Sequence, residues 1–276
     1  MNYESLKNDS DIRWSELSNG NIPWIRVSDA MCCGSSLGSE EIVEAIKNFG
    51  KKNNISLNID TVGCHGICYA GTIIDVLIKD KPRIFWGYVT IENVEKIIDS
   101  YIYKNKIIKN NLLGSLGDQT IKGVPNFSDL PGIQYQNRIA LRNSGNIAFN
   151  DIHQYIANGG FSGLNKALSS MSSEEVINEV KNSGLRGRGG AAFPTGVKWS
   201  FMANSKGKKY ILCNCEEGDP GAFNDKGILE SDPFTLIEGM IIAGFATNST
   251  NGYVFIRHGH EGPIVRTEEA IKQAYE

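Results

Sequence analysis

The chain has 276 residues, 41% hydrophobic and 21% charged, with a formal net charge of −3. That is an ordinary globular composition with room for two modest domains. The charge excludes nucleic acid as the main partner, and no apolar run is long enough for direct membrane insertion. Met1 to Gly20 is polar and partly acidic, so it reads as neither a secretory signal nor an Arg-rich transit peptide. The expected location is cytoplasmic, where the six cysteines serve as thiols or metal ligands rather than disulfides.

Residues 1–21 read as an N-terminal extension, and a first domain covers residues 22–106. Ile25-Arg26-Val27 is a short strand. Ser39 caps a helix with an apolar stripe of Ile42, Val43, Ile46 and Phe49, ended by Gly50. Ile55, Leu57 and Ile59 alternate as a strand. Thr72 to Ile78 and Arg83 to Trp86 read as two more strands, turning near Asp80-Lys81-Pro82. Thr90 caps a helix that lines up Val94, Ile97, Ile98 and Tyr101. The order strand–helix–strand–strand–strand–helix resembles a thioredoxin fold. Four cysteines fall here: Cys32, Cys33, Cys64 and Cys68. Cys64 and Cys68 share one loop after a strand, and two facing loops can bring four sulfurs around one metal centre. Structural zinc on the same cysteines is the alternative. His65 reads as a neighbour of such a centre rather than a ligand.

Residues 107–133 hold Asn110-Asn111, Gly114, Gly117-Asp118, Gly123, Pro125 and Pro131-Gly132, with no stable period. They read as a linker draped over the second part. The second domain, residues 134–276, opens with a short helix at Ile152 to Ala157. Ser172 and Glu175 form a capping box for a helix that stops at Gly184. Lys209 to Cys213 reads as a buried strand, Phe234 to Phe245 as an apolar helix opened by Asp232-Pro233, Tyr253 to Ile256 as a strand, and Thr267 to Glu276 as a helix. This is an α/β sheet with its loops gathered at one edge, where ligands bind in such folds. Cys213 and Cys215 read as small strand-end residues, not ligands. His258 and His260 read as a surface turn rather than a metal pair.

The richest segment is Gly184 to Trp199: Gly-Leu-Arg-Gly-Arg-Gly-Gly-Ala-Ala-Phe-Pro-Thr-Gly-Val-Lys-Trp. Glycines let backbone N–H groups approach an anion closely. Two arginines and Lys198 add positive charge, and Phe193 and Trp199 add flat apolar faces. The combination suits a nucleotide or a flavin nucleotide. It is not a Walker loop, because no Gly-Lys-Ser/Thr closes it, and Ala192 stands where the dinucleotide fingerprint needs its third glycine. Unlike disordered Arg-Gly-Gly tails, the unit occurs once. Five glycines would be an entropically costly way to make a plain loop.

Downstream lie Tyr-Ile-Leu-Cys-Asn-Cys-Glu-Glu-Gly-Asp-Pro-Gly-Ala-Phe from Tyr210 to Phe223 and Asn-Asp-Lys-Gly-Ile-Leu-Glu-Ser-Asp-Pro-Phe-Thr-Leu-Ile-Glu-Gly-Met to Met240. From about Gln134 to Arg257 the chain resembles the flavin-binding, NADH-oxidising subunit of respiratory complex I. It is closer still to the equivalent subunit of NAD-linked [FeFe]-hydrogenases, whose wording is Glu-Gly-Asp-Pro-Gly-Ala-Phe. The resemblance implies that Gly187, Arg188, Gly189, Gly190 and Lys198 hold FMN. It implies that Asn214, Glu216 and Glu217 line the flavin and that Phe193 and Phe201 stack on the NADH adenine. Glu216 stands where complex I has Asp, and Asp219 where complex I has Glu. Glu217 is the catalytic expectation, a charge that raises the cost of the anionic reduced flavin. A solvated Glu216-Glu217 turn is the plain alternative.

The same resemblance assigns residues 22–106 to a thioredoxin-like [2Fe–2S] ferredoxin domain with Cys32, Cys33, Cys64 and Cys68 as ligands. That family spaces its first two ligands four apart. Here they are adjacent, and Ser28 stands where a cysteine is expected, so Cys33, Cys64 and Cys68 are stronger ligand candidates than Cys32. The implied activity is hydride transfer from NADH to FMN, followed by single-electron exit to iron–sulfur clusters. The implied partners are NADH and other subunits of an NADH dehydrogenase or hydrogenase complex, at most peripheral to a membrane. The family continues past the segment matched here, with more sheet, a second Glu pair and a Cys-x-x-Cys-x-x-Cys site. The expectation is therefore a truncated or split product that alone binds FMN poorly. The competing expectation is a [2Fe–2S] carrier whose flavin-domain remnant only docks to a partner.

Overall fold

The computed structural model describes residues 2–30, 35–117 and 119–276. Cys32 and Cys33 lie outside the described residues. The chain divides into two compact units, residues 2–157 with 230–232, and residues 158–229 with 233–276.

The N-terminal unit opens with helix α1, Tyr3–Ser18, within the stretch read as an N-terminal extension. Asn2 caps it by accepting the Ser5 N–H at 2.9 Å. Strand β1, Trp24–Ser28, is buried at every position. Helix α2, Ser39–Asn53, starts one residue earlier than a Ser39 cap implies: Gly38 is the N-cap at φ +79°, and Ser39 Oγ donates to Asp29 Oδ1 at 2.7 Å. Gly50 does not end this helix. A Cβ there would meet the Ile55 carbonyl oxygen at 3.2 Å, so the glycine serves close packing, and the left-handed cap is Asn54. Strand β2, Asn58–Val62, begins after Ile55 and Leu57. Strands β3, Ile74–Leu77, and β4, Arg83–Trp86, follow, then helix α3, Ile91–Ile102, with a Thr90–Asn93 capping box.

Strand β5, Leu112–Leu116, lies inside the stretch whose composition reads as a linker. It pairs antiparallel with β4 and completes a sheet of order β2-β1-β3-β4-β5. Strands β1 and β2 are parallel across α2, and β3 runs antiparallel to β1 and β4. This is the thioredoxin-like topology expected. Its core joins Ile25, Val27, Ile74, Val76, Ile84 and Trp86 of the sheet to Ile42, Ile46 and Phe49 of α2 and Val94, Ile97, Ile98 and Tyr101 of α3. Helix α4, Ile152–Ala157, has its expected bounds and packs against α1, with Ser10 Oγ 2.9 Å from His153 Nδ1.

In the second unit, helix α5, Ser162–Ser170, precedes helix α6, Ser173–Asn182, which carries the expected Ser172–Glu175 capping box. Helix α7, Thr195–Asn204, takes up the end of the glycine-rich segment. Strand β6, Tyr210–Cys215, is followed by helix α8, Asn224–Ser231, helix α9, Pro233–Thr247, strand β7, Asn251–Ile256, and helix α10, Glu261–Tyr275. Helix α10 opens before the expected Thr267. Pro263 sits in its first turn, and Thr267 Oγ1 donates to the Pro263 carbonyl at 2.6 Å.

β6 and β7 form a two-stranded parallel sheet. The expected buried strand is instead half-open. Leu212 is 73% exposed, Tyr253 57% and Phe255 60%, because α9 packs on the sheet's other face. No helix among the described residues is long and apolar enough to cross a membrane.

Candidate functional site

The glycine-rich segment folds as a small hairpin between α6 and α7. Gly184 leaves α6 at φ +70°. Arg186 and Pro194 form an isolated antiparallel bridge. Gly187 N–H donates to the Phe193 carbonyl at 2.9 Å, and Thr195 N–H to the Leu185 carbonyl at 2.9 Å. Arg186 Nη1 closes on the Ala192 carbonyl at 3.1 Å. Arg188, Gly189 and Gly190 form the exposed tip, with Gly190 at φ +101°. A Cβ at Gly189 or Gly190 would meet nothing within 4 Å, so the space over their backbone is open.

The loop ends directly at the N-terminus of α7, whose N-cap Pro194 makes no side-chain capping bond. Thr195 N–H is taken by the Leu185 carbonyl, and the helix start carries the partial positive charge of the aligned peptide dipoles. Lys198 is exposed in the first turn. Gly196 is required there: a Cβ would lie 2.5 Å from Lys181 N. Phe193 and Phe201 are exposed with ring centroids 6.3 Å apart. Trp199, expected to offer a ligand face, packs instead with Ala167, Val176, Ile177 and Ala246, because the helical turn points it into the core.

The second candidate segment follows β6. Glu216 N–H donates to Asn214 Oδ1 at 2.9 Å, an Asx turn. Glu216 Oε1 is 3.7 Å from Arg257 Nη1, which follows β7. Glu217 is 9% exposed, and its carboxylate accepts the backbone N–H groups of Asn224, Asp225 and Lys226, the latter two at 3.0 Å. It therefore caps α8. Burial opposes its charge, and these N–H groups outweigh that, so its pKa sits below the usual carboxylate value. This capping role is not legible in the sequence; Glu217 seven residues before Asn224 has no standard capping spacing.

In the N-terminal unit, the Cys64–Cys68 loop leaves β2 and is held by residues beyond 134, where the sequence pattern places the next domain. Ser144 Oγ donates to the Cys64 carbonyl at 2.6 Å, and Arg138 Nη2 donates to the His65 carbonyl. Gly66, at φ +80°, donates its N–H to Cys64 Sγ at 3.1 Å. Cys64 is half-buried and Cys68 exposed. The His65 ring is buried edge-on to Phe85 and Phe127, both with centroids at 5.6 Å, and burial lowers its pKa to about 3. A Cβ at Gly63 would lie 2.2 Å from Ser231 Oγ, and one at Gly145 2.4 Å from the His65 ring. Ser28 accepts the Ile73 N–H through Oγ at 2.9 Å. Among the described residues, no three His, Cys, Asp or Glu side chains gather as a metal-binding group.

Residues 180–276 match the family model of the Nuo51 FMN-binding domain. The chain is 48% identical over 123 residues to an NADH-quinone oxidoreductase F subunit of Rhizobium meliloti, covering 44% of this chain and 29% of that protein. It is 48% identical over 142 residues to the NADP-reducing hydrogenase subunit HndC of Solidesulfovibrio fructosivorans, covering 51% and 29%. The chain thus spans under a third of the length of these relatives. An NAD+-reducing [NiFe]-hydrogenase structure in the air-oxidized state aligns with TM-score 0.41 at 16% identity, over 98% of this chain and 46% of that one. A thioredoxin-like [2Fe–2S] ferredoxin from Aquifex aeolicus aligns with TM-score 0.31 at 14% identity, over 37% and 98%. Residues 180–276 are thus similar to the Nuo51 FMN-binding domain, and about half of the chain is similar to part of an F subunit of NADH-quinone oxidoreductase and of HndC.

Proposed function

We propose that this chain is an electron-transfer subunit of an NADH-oxidising complex, with FMN held by the glycine loop. The observation that carries the reading is the open tip Arg188-Gly189-Gly190, followed directly by the start of α7, which has no side-chain cap. Together they form an anion cradle of backbone N–H groups and positive charge. The family match over residues 180–276 supports FMN as the anion.

Gly187, Arg188, Gly189, Gly190 and Lys198 hold the phosphate. Arg188 pairs with it, and the glycines admit it to the backbone. Phe193 and Phe201 offer the NADH adenine its stacking faces. Asn214 and Glu216 line the flavin edge, and Glu217 fixes the intervening turn through its cap on α8. Bound FMN supplies the conversion of hydride chemistry into single-electron transfer.

Cys64 and Cys68, together with Cys32 and Cys33, would hold a [2Fe–2S] cluster, which would supply one-electron chemistry. The thioredoxin-like topology and the Gly66 N–H on Cys64 Sγ support this donor set. Partners are the other subunits of an NADH dehydrogenase or hydrogenase complex, and the location is cytoplasmic, peripheral to any membrane component.

Titrating the chain with FMN and with riboflavin, read by flavin fluorescence, tests the cradle. FMN should bind more tightly by about tenfold or more, the worth of a charge-assisted phosphate contact. Equal affinities would overturn the reading. Iron and sulfide analysis after anaerobic reconstitution tests the cluster, and stoichiometric zinc without sulfide would overturn it.

A further inference from the structure

Cys213 and Cys215 occupy alternate positions of β6 and so face the same side of the sheet. Their Sγ atoms are 3.4 Å apart. Cys213 is half-buried and Cys215 is 6% exposed. Among the described residues they belong to no group of three or more metal-ligating side chains. Two thiols in contact without further ligands make a dithiol rather than a metal centre.

The pair is also asymmetric. A hydrogen bond with Cys215 holds the Cys213 thiol below its usual pKa. The same contact with Cys213, then burial, push Cys215 up, and Asp225 and Glu217 add to that. One partner is thus poised to attack and the other to resolve.

We propose that Cys213 and Cys215 are a redox-active dithiol that closes to a disulfide within one strand by exchange with a small-molecule disulfide such as oxidised glutathione. The Cys213 thiolate attacks one sulfur of the small disulfide. That S–S bond breaks, one glutathione leaves as thiolate, and a mixed disulfide forms on Cys213. Cys215 then gives its proton to solvent and attacks the Cys213 sulfur, expelling the second glutathione. Two protein thiols are oxidised, one small disulfide is reduced to two thiols, and the protons released are taken up by the leaving thiolates.

Two strand steps separate the Cα atoms by about 6.6 Å, near the long end of the roughly 4.4–6.8 Å that a disulfide spans. The span is therefore long for a disulfide but within its reach. The inference stands on β6 alone and does not depend on the flavin reading.

Trypsin cuts after Lys209 and Lys226, so the peptide Tyr210–Lys226 contains these two cysteines and none of the other four. The full chain is reduced, incubated with oxidised glutathione, blocked with N-ethylmaleimide and digested. The expected peptide is lighter by two hydrogen atoms and carries no maleimide, and dithiothreitol restores both alkylation sites. In Cys215→Ser, the reaction should stop at a glutathione adduct on Cys213. A wild-type peptide carrying two maleimides after oxidation, or one glutathione on each cysteine, would overturn the proposal. The wild-type measurement decides alone, whatever the variant's folding.

Discussion

Gly187 and Phe193 are joined by a backbone hydrogen bond of 2.9 Å from the glycine N–H to the phenylalanine carbonyl. This bond closes the glycine hairpin, leaves Arg188 at its exposed tip and brings Phe193 within 6.3 Å of Phe201 across the start of α7. Arg188→Ala should weaken FMN binding by about 1.5–3 kcal/mol, the scale of a lost charge-assisted hydrogen bond. Riboflavin binding should hardly change. Fluorescence titration of both flavins reads the difference, and an unaltered FMN dissociation constant would move the phosphate away from this loop.

Removing the Glu217 carboxylate should uncap α8. Glu217→Ala is expected to cost about 1–2 kcal/mol in urea unfolding, as for other lost N-terminal caps. Glu217→Gln, which keeps an accepting oxygen, should cost less. If both variants unfold like the parent, the carboxylate does not hold the turn.

Asp75 is fully buried between Arg26 and Arg83, accepting from Arg26 Nε at 2.9 Å and Arg83 Nη2 at 2.6 Å. Burial opposes its charge, and the two arginines outweigh that, so its pKa lies below the usual value of 3.8. The folded state therefore binds this proton less readily than the unfolded chain. Its contribution is complete above about pH 3.8 and is lost as pH falls through the lower folded value. Asp75→Asn should destabilise by about 3–5 kcal/mol at neutral pH, because two buried guanidinium groups lose their counter-charge. Its deficit should shrink in acid. A deficit constant from neutral pH to pH 2 would contradict this account.

Gly145, at φ +77°, lies under the His65 ring. Gly145→Ala must displace that ring and strain the backbone, at an expected cost of about 1–3 kcal/mol. Thermal unfolding of the variant measures it. Loss of cluster from a variant that still folds would tie residue 145 to the Cys64 loop.

The elements read most faithfully from sequence are those with local signals. Arg83–Trp86 and Ile152–Ala157 fall on their expected bounds, Thr90 is the N-cap of α3 as expected, and the expected Ser172–Glu175 capping box forms. Helix α1 carries no apolar stripe, so its period is invisible until α4 supplies a surface. Gly114 makes β5 look like loop. In the fold that glycine is where residues 125–127 cross the strand, with a Cβ position 2.8 Å from both Phe127 N and the Pro125 carbonyl. In the site, the glycine hairpin and the Asn214–Glu217 turn are legible as residue types. That Trp199 turns to the core and Glu217 to a helix end is not, because both depend on rotations set by packing.

Residue chemistry at short range was thus determined by the sequence itself: glycines and arginines for an anion, paired cysteines on one loop, alternating apolar residues for a thioredoxin-like core. Tertiary structure alone decided which side chains are free to use that chemistry. Arg138 and Ser144, far from Cys64 along the chain, hold its loop through the His65 and Cys64 carbonyls. Cys213 and Cys215 became a dithiol only when the pleat of β6 set their sulfurs on one face, 3.4 Å apart. A local pattern specifies what a group can do. Which partner it meets depends on the closure of the chain around it, because burial and hydrogen bonding are properties of the assembled neighbourhood.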